Sequence, residues 1–269
     1  EGQLYWQAWK PDGELKALLV IAHGFDDHSA RYAHVADHFG ARGYAVYTFD
    51  QIGHGQSAGP RGHVESFEHY VEDLNRFVAL AQTQVPDVKS FVLGHSQGGM
   101  VSLRYGIAHP HAVSGIVTSG AGMMLSMSPP RWKVTLGKVL SNVAPRFALA
   151  NGIPPNALSR DPAVAAARQQ DPHRHGVATT RWADEFFKAQ ADTLAAAPRF
   201  TLPCLLLHGG ADPIINPEAT KQFFAAASST DKTMKIYDGM YHEIYNEVGK
   251  EQVLADVEQW IDKRLNSER

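Results

Sequence analysis

The sequence predicts an α/β fold: a mostly parallel sheet with helices on both faces, interrupted by a helical insertion. Three observations predict it. Short apolar runs alternate with longer stretches of helical spacing. The short runs are continuously apolar, as strands are when both faces are covered. The rhythm stops once, over 122–200, and then resumes.

The elements follow in order. Lys16 to Ala22 (KALLVIA) reads as a strand ending at His23-Gly24. Ser29 to Ala41 spaces Tyr32, Val35, Ala36 and Phe39 at helical intervals. Tyr44 to Phe49 is strand-like, and Phe67 to Leu80 returns to helical spacing through Tyr70, Val71, Leu74, Phe77 and Val78. Ser90 to Leu93 is a third strand, Met100 to Ala108 a helix, and Gly115 to Thr118 a fourth strand. Gly122 to Pro130 then holds three Met and two Pro. Arg131 to Arg199 is helical or irregular, punctuated by Pro145, Pro154, Pro155, Pro162 and Pro172. Strands resume at Cys204 to Leu207 and Thr233 to Tyr237, and a last helix runs from about Lys250 to Leu265. The expected organisation is a core of 1–121 and 201–269, with 122–200 as an inserted cap.

Composition excludes several classes. The 269 residues are 44% hydrophobic and 20% charged, enough to bury a large core, so disorder is not the main state. Lys+Arg number 25 against 28 Asp+Glu, with no basic stripe, which argues against a nucleic-acid partner. The single Cys204 rules out an internal disulfide and reads as a buried, inert thiol. No apolar run approaches the roughly 18 residues that span a bilayer. The chain starts at Glu1 without an initiator Met, and its first ten residues lack the basic start and apolar stretch of a signal peptide. The expected location is cytoplasmic.

The pattern Gly-x-Ser-x-Gly occurs twice. A serine nucleophile on a strained elbow needs a strand before it and a helix after it. Gly94-His95-Ser96-Gln97-Gly98 has both; Gly55-Gln56-Ser57-Ala58-Gly59 has neither, so Ser57 reads as a loop serine. Serine needs an adjacent base, and the base needs an acid partner, in the chain order Ser, acid, His. Asp212 and His242 lie just past two later strands, at the carboxyl ends where reactive groups gather in a parallel sheet. Asp238 is the alternative acid. The backbone N–H groups of Phe25 and Gln97 are the candidate oxyanion donors. Among the remaining histidines, His23 and His95 read as orienting backbone, and His208 as structural. His173 and His175 form an isolated HxH, and Asn246 stands where an HExxH motif needs its second His, so no metal is expected.

These residues resemble the monoacylglycerol lipases within the α/β-hydrolases, over nearly the whole chain. HGFDDHSARY (23–32) is similar to the family's HG-x-x-E-H-S-x-R-Y, and FDQIGHGQSAGPRG (49–62), LGHSQGG (93–99), LSRDP (158–162), PCLLLHGGADPI (203–214) and DKTMKIYDGMYHE (231–243) each have a counterpart. The resemblance implies Ser96, Asp212 and His242 as the triad, and a helical cap. It implies that Asp27 and Arg31 hold the glycerol end of the substrate, with Asp in place of the usual Glu. It also implies a polar contact from Tyr245, where the family has His; Gln97 replaces a more usual Met.

The expected reaction is hydrolysis of monoacylglycerols by a serine esterase without a cofactor. A broader carboxylesterase or lysophospholipase is the alternative, and a catalytically silent ligand-binding homologue a distant one. The insertion interleaves Trp132, Val134, Leu136, Val139, Leu140 and Val143 with Arg131, Lys133 and Lys138. That face either lies at a membrane surface, making the protein peripheral there, or packs on the core. An apolar tunnel for the acyl chain is expected beneath it.

Overall fold

The structure, a computed structural model, describes residues 2–266. Glu1, residues 267–269 and the side chain of Arg131 lie outside the described residues, although the sequence reading took them in. In chain order the elements are β1 (Trp6–Trp9), β2 (Ala17–Ala22), α1 (Ala33–Gly40), β3 (Tyr44–Phe49), α2 (Glu68–Gln84), β4 (Ser90–His95), α3 (Gln97–Ala108) and β5 (Gly115–Ser119). Then come α4 (Arg131–Val143), β6 (Ala148–Ala150), α5 (Pro162–Gln170), β7 (Val177–Thr179) and α6 (Thr180–Ala196). The chain closes with β8 (Cys204–Gly209), α7 (Pro217–Ala226), β9 (Lys232–Tyr237) and α8 (Lys250–Asn266).

The central sheet has the order β1-β3-β2-β4-β5-β8-β9. All neighbours are parallel except β1, which runs antiparallel along β3 at the edge. Along β2 the side chains alternate between two cores, as the two-residue period of a strand dictates. Leu18, Val20 and Ala22 face Tyr70, Leu74 and Phe77 of α2 and Met100 and Leu103 of α3. Ala17, Leu19 and Ile21 face Val35 and Phe39 of α1 and Val253, Val257 and Ile261 of α8. Burying each such aliphatic side chain stabilises the fold by about 1.5–3 kcal/mol.

Between β5 and β8 the chain leaves the sheet, as the break in the sequence rhythm anticipates. The helices there start where the sequence provides stop-and-cap chemistry. Asp161 accepts from the Ala163 N–H with Pro162 at the first helical position of α5, and Thr179 accepts from the Trp182 N–H to open α6. Strands β6 and β7 pair antiparallel within this segment. Among the described residues no helix is long and apolar enough to cross a membrane.

Several elements depart from the sequence reading, among them strands β6 and β7 in a stretch expected to be helical or irregular. Strand β1 was not expected: its residues alternate half-exposed and pack one face, Trp6 stacking on Tyr47 at 6.0 Å. The stretch expected as one helix from Ser29 begins as a 3₁₀ turn over Ser29–Tyr32. Helix α7 was also not foreseen, although Asn216 caps it and Pro217 opens it.

Candidate active site

The carboxyl ends of β2, β4, β8 and β9 meet at one rim, where the loops after them carry Phe25, Ser96, Asp212 and His242. Ser96 stands between β4 and α3 with φ 52° and ψ −117°, a strained conformation for a residue with a side chain. Two glycines make that turn possible. A Cβ at Gly94 would lie 2.4 Å from the Gly98 carbonyl oxygen, and one at Gly98 would lie 2.2 Å from the Ala22 carbonyl oxygen. Side chains at either position would force strand and helix apart.

His242 Nε2 lies 2.9 Å from Ser96 Oγ, and His242 Nδ1 lies 2.7 Å from Asp212 Oδ2. An ionised carboxylate only accepts, so Nδ1 carries the proton and Nε2 is left to accept from the serine hydroxyl. Burial alone would raise the Asp212 carboxyl, but the nearby His242 charge and hydrogen bonds from His208 and His242 hold it well below the usual carboxylate range. Its Oδ1 accepts from the N–H groups of Ile214 (2.8 Å) and Ile215 (3.0 Å). His208 is fixed in turn: Nε2–H donates to Asp212 Oδ2 and the Ile215 carbonyl, and Nδ1 accepts from the Thr220 hydroxyl at 2.7 Å. Burial lowers His242, yet the charge and hydrogen bond of Asp212 outweigh it and raise its pKa. The arrangement can deprotonate an alcohol.

Gln97 opens α3, so its N–H is one of the first-turn donors that have no intrahelical acceptor. Gly24 passes close to Ser96: a Cβ there would lie 3.2 Å from Ser96 Cβ, which places the Phe25 peptide beside the same serine. His95 is buried and its Nδ1 lies 2.8 Å from Ser119 Oγ. Burial and the neighbouring His242 push it down to about 4, so it is neutral at pH 7.

Ser96, His242, Phe25, Asp27 and His95 share a chamber of about 30 Å³ with Arg168, Glu243, Ile153, Leu158 and Ile214. Glu243 and Arg168 were not read from the sequence. Arg31 donates to Asp27 Oδ1 at 2.9 Å and grips Glu243 with two bonds of 3.0 and 2.6 Å. Tyr32 OH donates to Asp27 Oδ2 at 3.1 Å. Burial opposes ionisation of Asp27 and Glu243, but Arg31 overcomes it and lowers both. Asp27 and Arg31 therefore do stand together beside the chamber. Tyr245 does not join them. The 3₁₀ turn Ile244–Asn246 carries its ring into the core on the α1–α8 face, where it is 2% exposed and outside the chamber wall.

Other residues also have their places. Ser57 is buried and donates to the Asp50 carbonyl, while Asp238 is exposed. Burial pushes the Cys204 thiol up to about 12. Among the described residues, the chamber beside Ser96 and an apolar groove on the insertion share no lining residue, so the two do not join as the expected apolar tunnel. The groove, of about 540 Å³, lies between α4 and α6, lined by Trp132, Leu136, Leu140, Leu149 and Phe187. On the opposite face of α6, Trp182 stacks on Phe25 and Phe186 stacks on Trp182, next to the small chamber.

Residues 13–249 match the family model described as serine aminopeptidase, S33. The chain belongs to this family. The chain is similar to a monoacylglycerol lipase of Mycolicibacterium smegmatis, 35% identical over 264 residues that span 98% of this chain and 94% of that one. A mouse monoglyceride lipase is 34% identical over 271 residues, covering 98% of this chain and 89% of its own. The crystal structure of Paleococcus ferrophilus monoacylglycerol lipase superposes with a TM-score of 0.89 at 30% identity, covering 97% of this chain and 99% of that one. This S33 family member has the α/β-hydrolase fold, with its sheet edge, elbow and interrupting helices in that fold's order.

Proposed function

We propose that this chain is a serine ester hydrolase that cleaves monoacylglycerols to a free fatty acid and glycerol. The observation that carries the reading is the unbroken hydrogen-bond chain from Ser96 Oγ through His242 to Asp212 on a strained elbow. The named lipases at 34–35% identity supply the substrate class. Ser96 Oγ attacks the ester carbonyl and passes its proton to His242 Nε2, while the Phe25 and Gln97 N–H groups hold the oxyanion. His242 then gives the proton to the leaving glycerol oxygen. A water, deprotonated by the same imidazole, releases the acid from Ser96.

The polar chamber wall of Asp27, Arg168 and Glu243, with Arg31 behind the two carboxylates, suits the hydroxyls of the leaving alcohol. It suits an aminopeptidase poorly, because a peptide's ammonium group wants a free carboxylate and Arg31 already holds both. We take 122–200 as a cap over a core of 1–121 and 201–269. The 30 Å³ chamber is far below the roughly 300 Å³ of a pocket that holds a drug-sized ligand, so the cap moves to admit an acyl chain.

The cap also offers a membrane contact. Seven of the ten large apolar side chains that are exposed among the described residues lie between Met127 and Leu149. Lys133 Nζ sits 5.6 Å over the Trp132 ring beside them. Basic groups beside exposed apolar ones suit an interface with anionic lipid.

The test is a panel of rates on a monoacylglycerol, a diacylglycerol, a lysophospholipid, p-nitrophenyl butyrate and an aminoacyl anilide. The monoacylglycerol gives the highest kcat/KM on this reading. A preference for the lysophospholipid or the anilide would displace the substrate assignment.

A further inference from the structure

The insertion grips the loop that carries the candidate oxyanion donor. Asp26 directly follows Phe25, and its φ of 55° is a left-handed conformation that a residue with a side chain adopts only under constraint. The constraint is visible. Asp26 is buried, and its Oδ2 accepts from Asn151 Nδ2 (2.8 Å), Arg168 Nη2 (2.9 Å) and Arg174 Nε (2.7 Å). Its Oδ1 accepts from the N–H groups of His175 (2.9 Å) and Gly176 (2.7 Å), and its carbonyl from Arg168 Nη1 (3.2 Å). All of these donors lie between Asn151 and Gly176, in the insertion. A second grip adjoins the first. Trp182 stacks on Phe25 with ring centroids 3.6 Å apart, and its Nε1–H donates to Gln97 Oε1 at 2.8 Å. The insertion thus holds both residues whose N–H groups face the oxyanion.

We propose that Asp26 is a positioning residue: the insertion, by binding its carboxylate, holds the Gly24-Phe25-Asp26 turn so that the Phe25 N–H aims at the oxyanion. The inference rests on the serine-hydrolase reading above. An oxyanion donor acts only when it lies within about 2.7–3.1 Å of the developing charge, so a small relaxation of the loop forfeits it. When the insertion lifts to admit substrate it releases Asp26, and the donor returns to its place when the insertion closes. Turnover is then confined to the closed, water-poor state.

The test compares the full chain with Asp26→Gly. Glycine adopts a φ of 55° without strain, so the turn can keep its path while the carboxylate is lost. Three quantities are read with the folded protein: kcat and KM on p-nitrophenyl butyrate, and the inhibition constant of butylboronic acid. That acid becomes a tetrahedral anion when Ser96 Oγ adds to its boron. The proposal expects kcat to fall about tenfold or more, the boronic acid to weaken by a similar factor, and KM to change less than about threefold. Arg174→Gln removes one donor from a partly exposed position, so it serves if the glycine variant does not fold. It is expected to move kcat and the inhibition constant several-fold in the same direction. A lower melting temperature with wild-type kcat and boronic-acid affinity would overturn the proposal, since a merely structural tie predicts that. Ser96→Ala runs alongside. If it retains turnover, the serine-hydrolase reading fails. If it is dead while Asp26→Gly keeps wild-type kcat and inhibition, the positioning proposal fails alone.

Discussion

The sheet and the insertion are held by different forces. Leu19, Val20, Leu93, Val117 and Leu206 are wholly buried, and neighbouring strands pair along their lengths. Helix α6 of the insertion packs Trp182, Phe186 and Ala189 into the core, but the segment before it meets the rest of the chain through polar ties. These include the five side-chain bonds of Asp26, the His28–Asp171 pair at 2.7 Å, Arg160 on Glu247 at 3.2 Å, and His63 on Thr179 at 3.0 Å. Between Met127 and Leu149 it turns large apolar side chains outward. The contrast teaches a division of labour. An apolar, paired sheet fixes Ser96, Asp212 and His242 to within a hydrogen bond. The segment from Asn151 to Gly176, tied by polar groups, can part without exposing the core, since water replaces each lost hydrogen bond.

The largest predicted effect breaks the rigid half of this comparison. Asp212→Asn should lower kcat by about 10⁴-fold while the fold persists, because His242 loses the group that sets its tautomer. The pH profile carries the sign. Burial lowers His242, and the Asp212 charge and hydrogen bond raise it overall. Neutral His242 is the base, so activity falls as pH drops through that raised pKa. Removing the Asp212 charge moves the acid limb of the residual kcat/KM to lower pH. An unmoved limb would mean that another group titrates there.

Next come two substitutions of the same kind in the two regions. Leu93→Ala, in the middle of β4, should cost about 2–5 kcal/mol, read from urea unfolding. The double change Leu136→Ser and Val139→Ser on exposed α4 should shift stability by no more than about 0.5 kcal/mol per site. The smallest effect on the protein itself should nonetheless show outside it: the α4 double variant should sediment less with vesicles containing anionic lipid. Equal sedimentation would leave α4 without a membrane role.

Much of the fold was legible because its signals are local. Continuous apolar runs such as Ala17–Ala22 and Cys204 to Leu207, short and alternating with helical spacing, read as strands covered on both faces. The edge strand Trp6–Trp9 gave a weaker pattern, since only one of its faces packs. At the site, Ser96, Asp212 and His242 were readable because each follows a strand and the chemistry fixes their order. Asp26 and Glu243 were not. Asp26 bonds residues 125–150 positions away and Glu243 bonds Arg31 across 212 positions, and no local spacing announces such contacts. Tyr245 shows the converse failure. The family resemblance implied a polar contact from it, but the short 3₁₀ turn directs the ring into the core, and Glu243 lines the chamber instead.

The central claim is that Ser96 is the nucleophile, activated through His242. A fluorophosphonate reacts covalently with an activated serine, and mass spectrometry of the digested protein locates the adduct. The account predicts one adduct, on Ser96, formed at least about 10³-fold more slowly in His242→Ala because serine is a weak nucleophile without its base. It predicts none on Ser57, whose hydroxyl is buried and bonded to the Asp50 carbonyl. An adduct on Ser57, or undiminished labelling of Ser96 without His242, would contradict it.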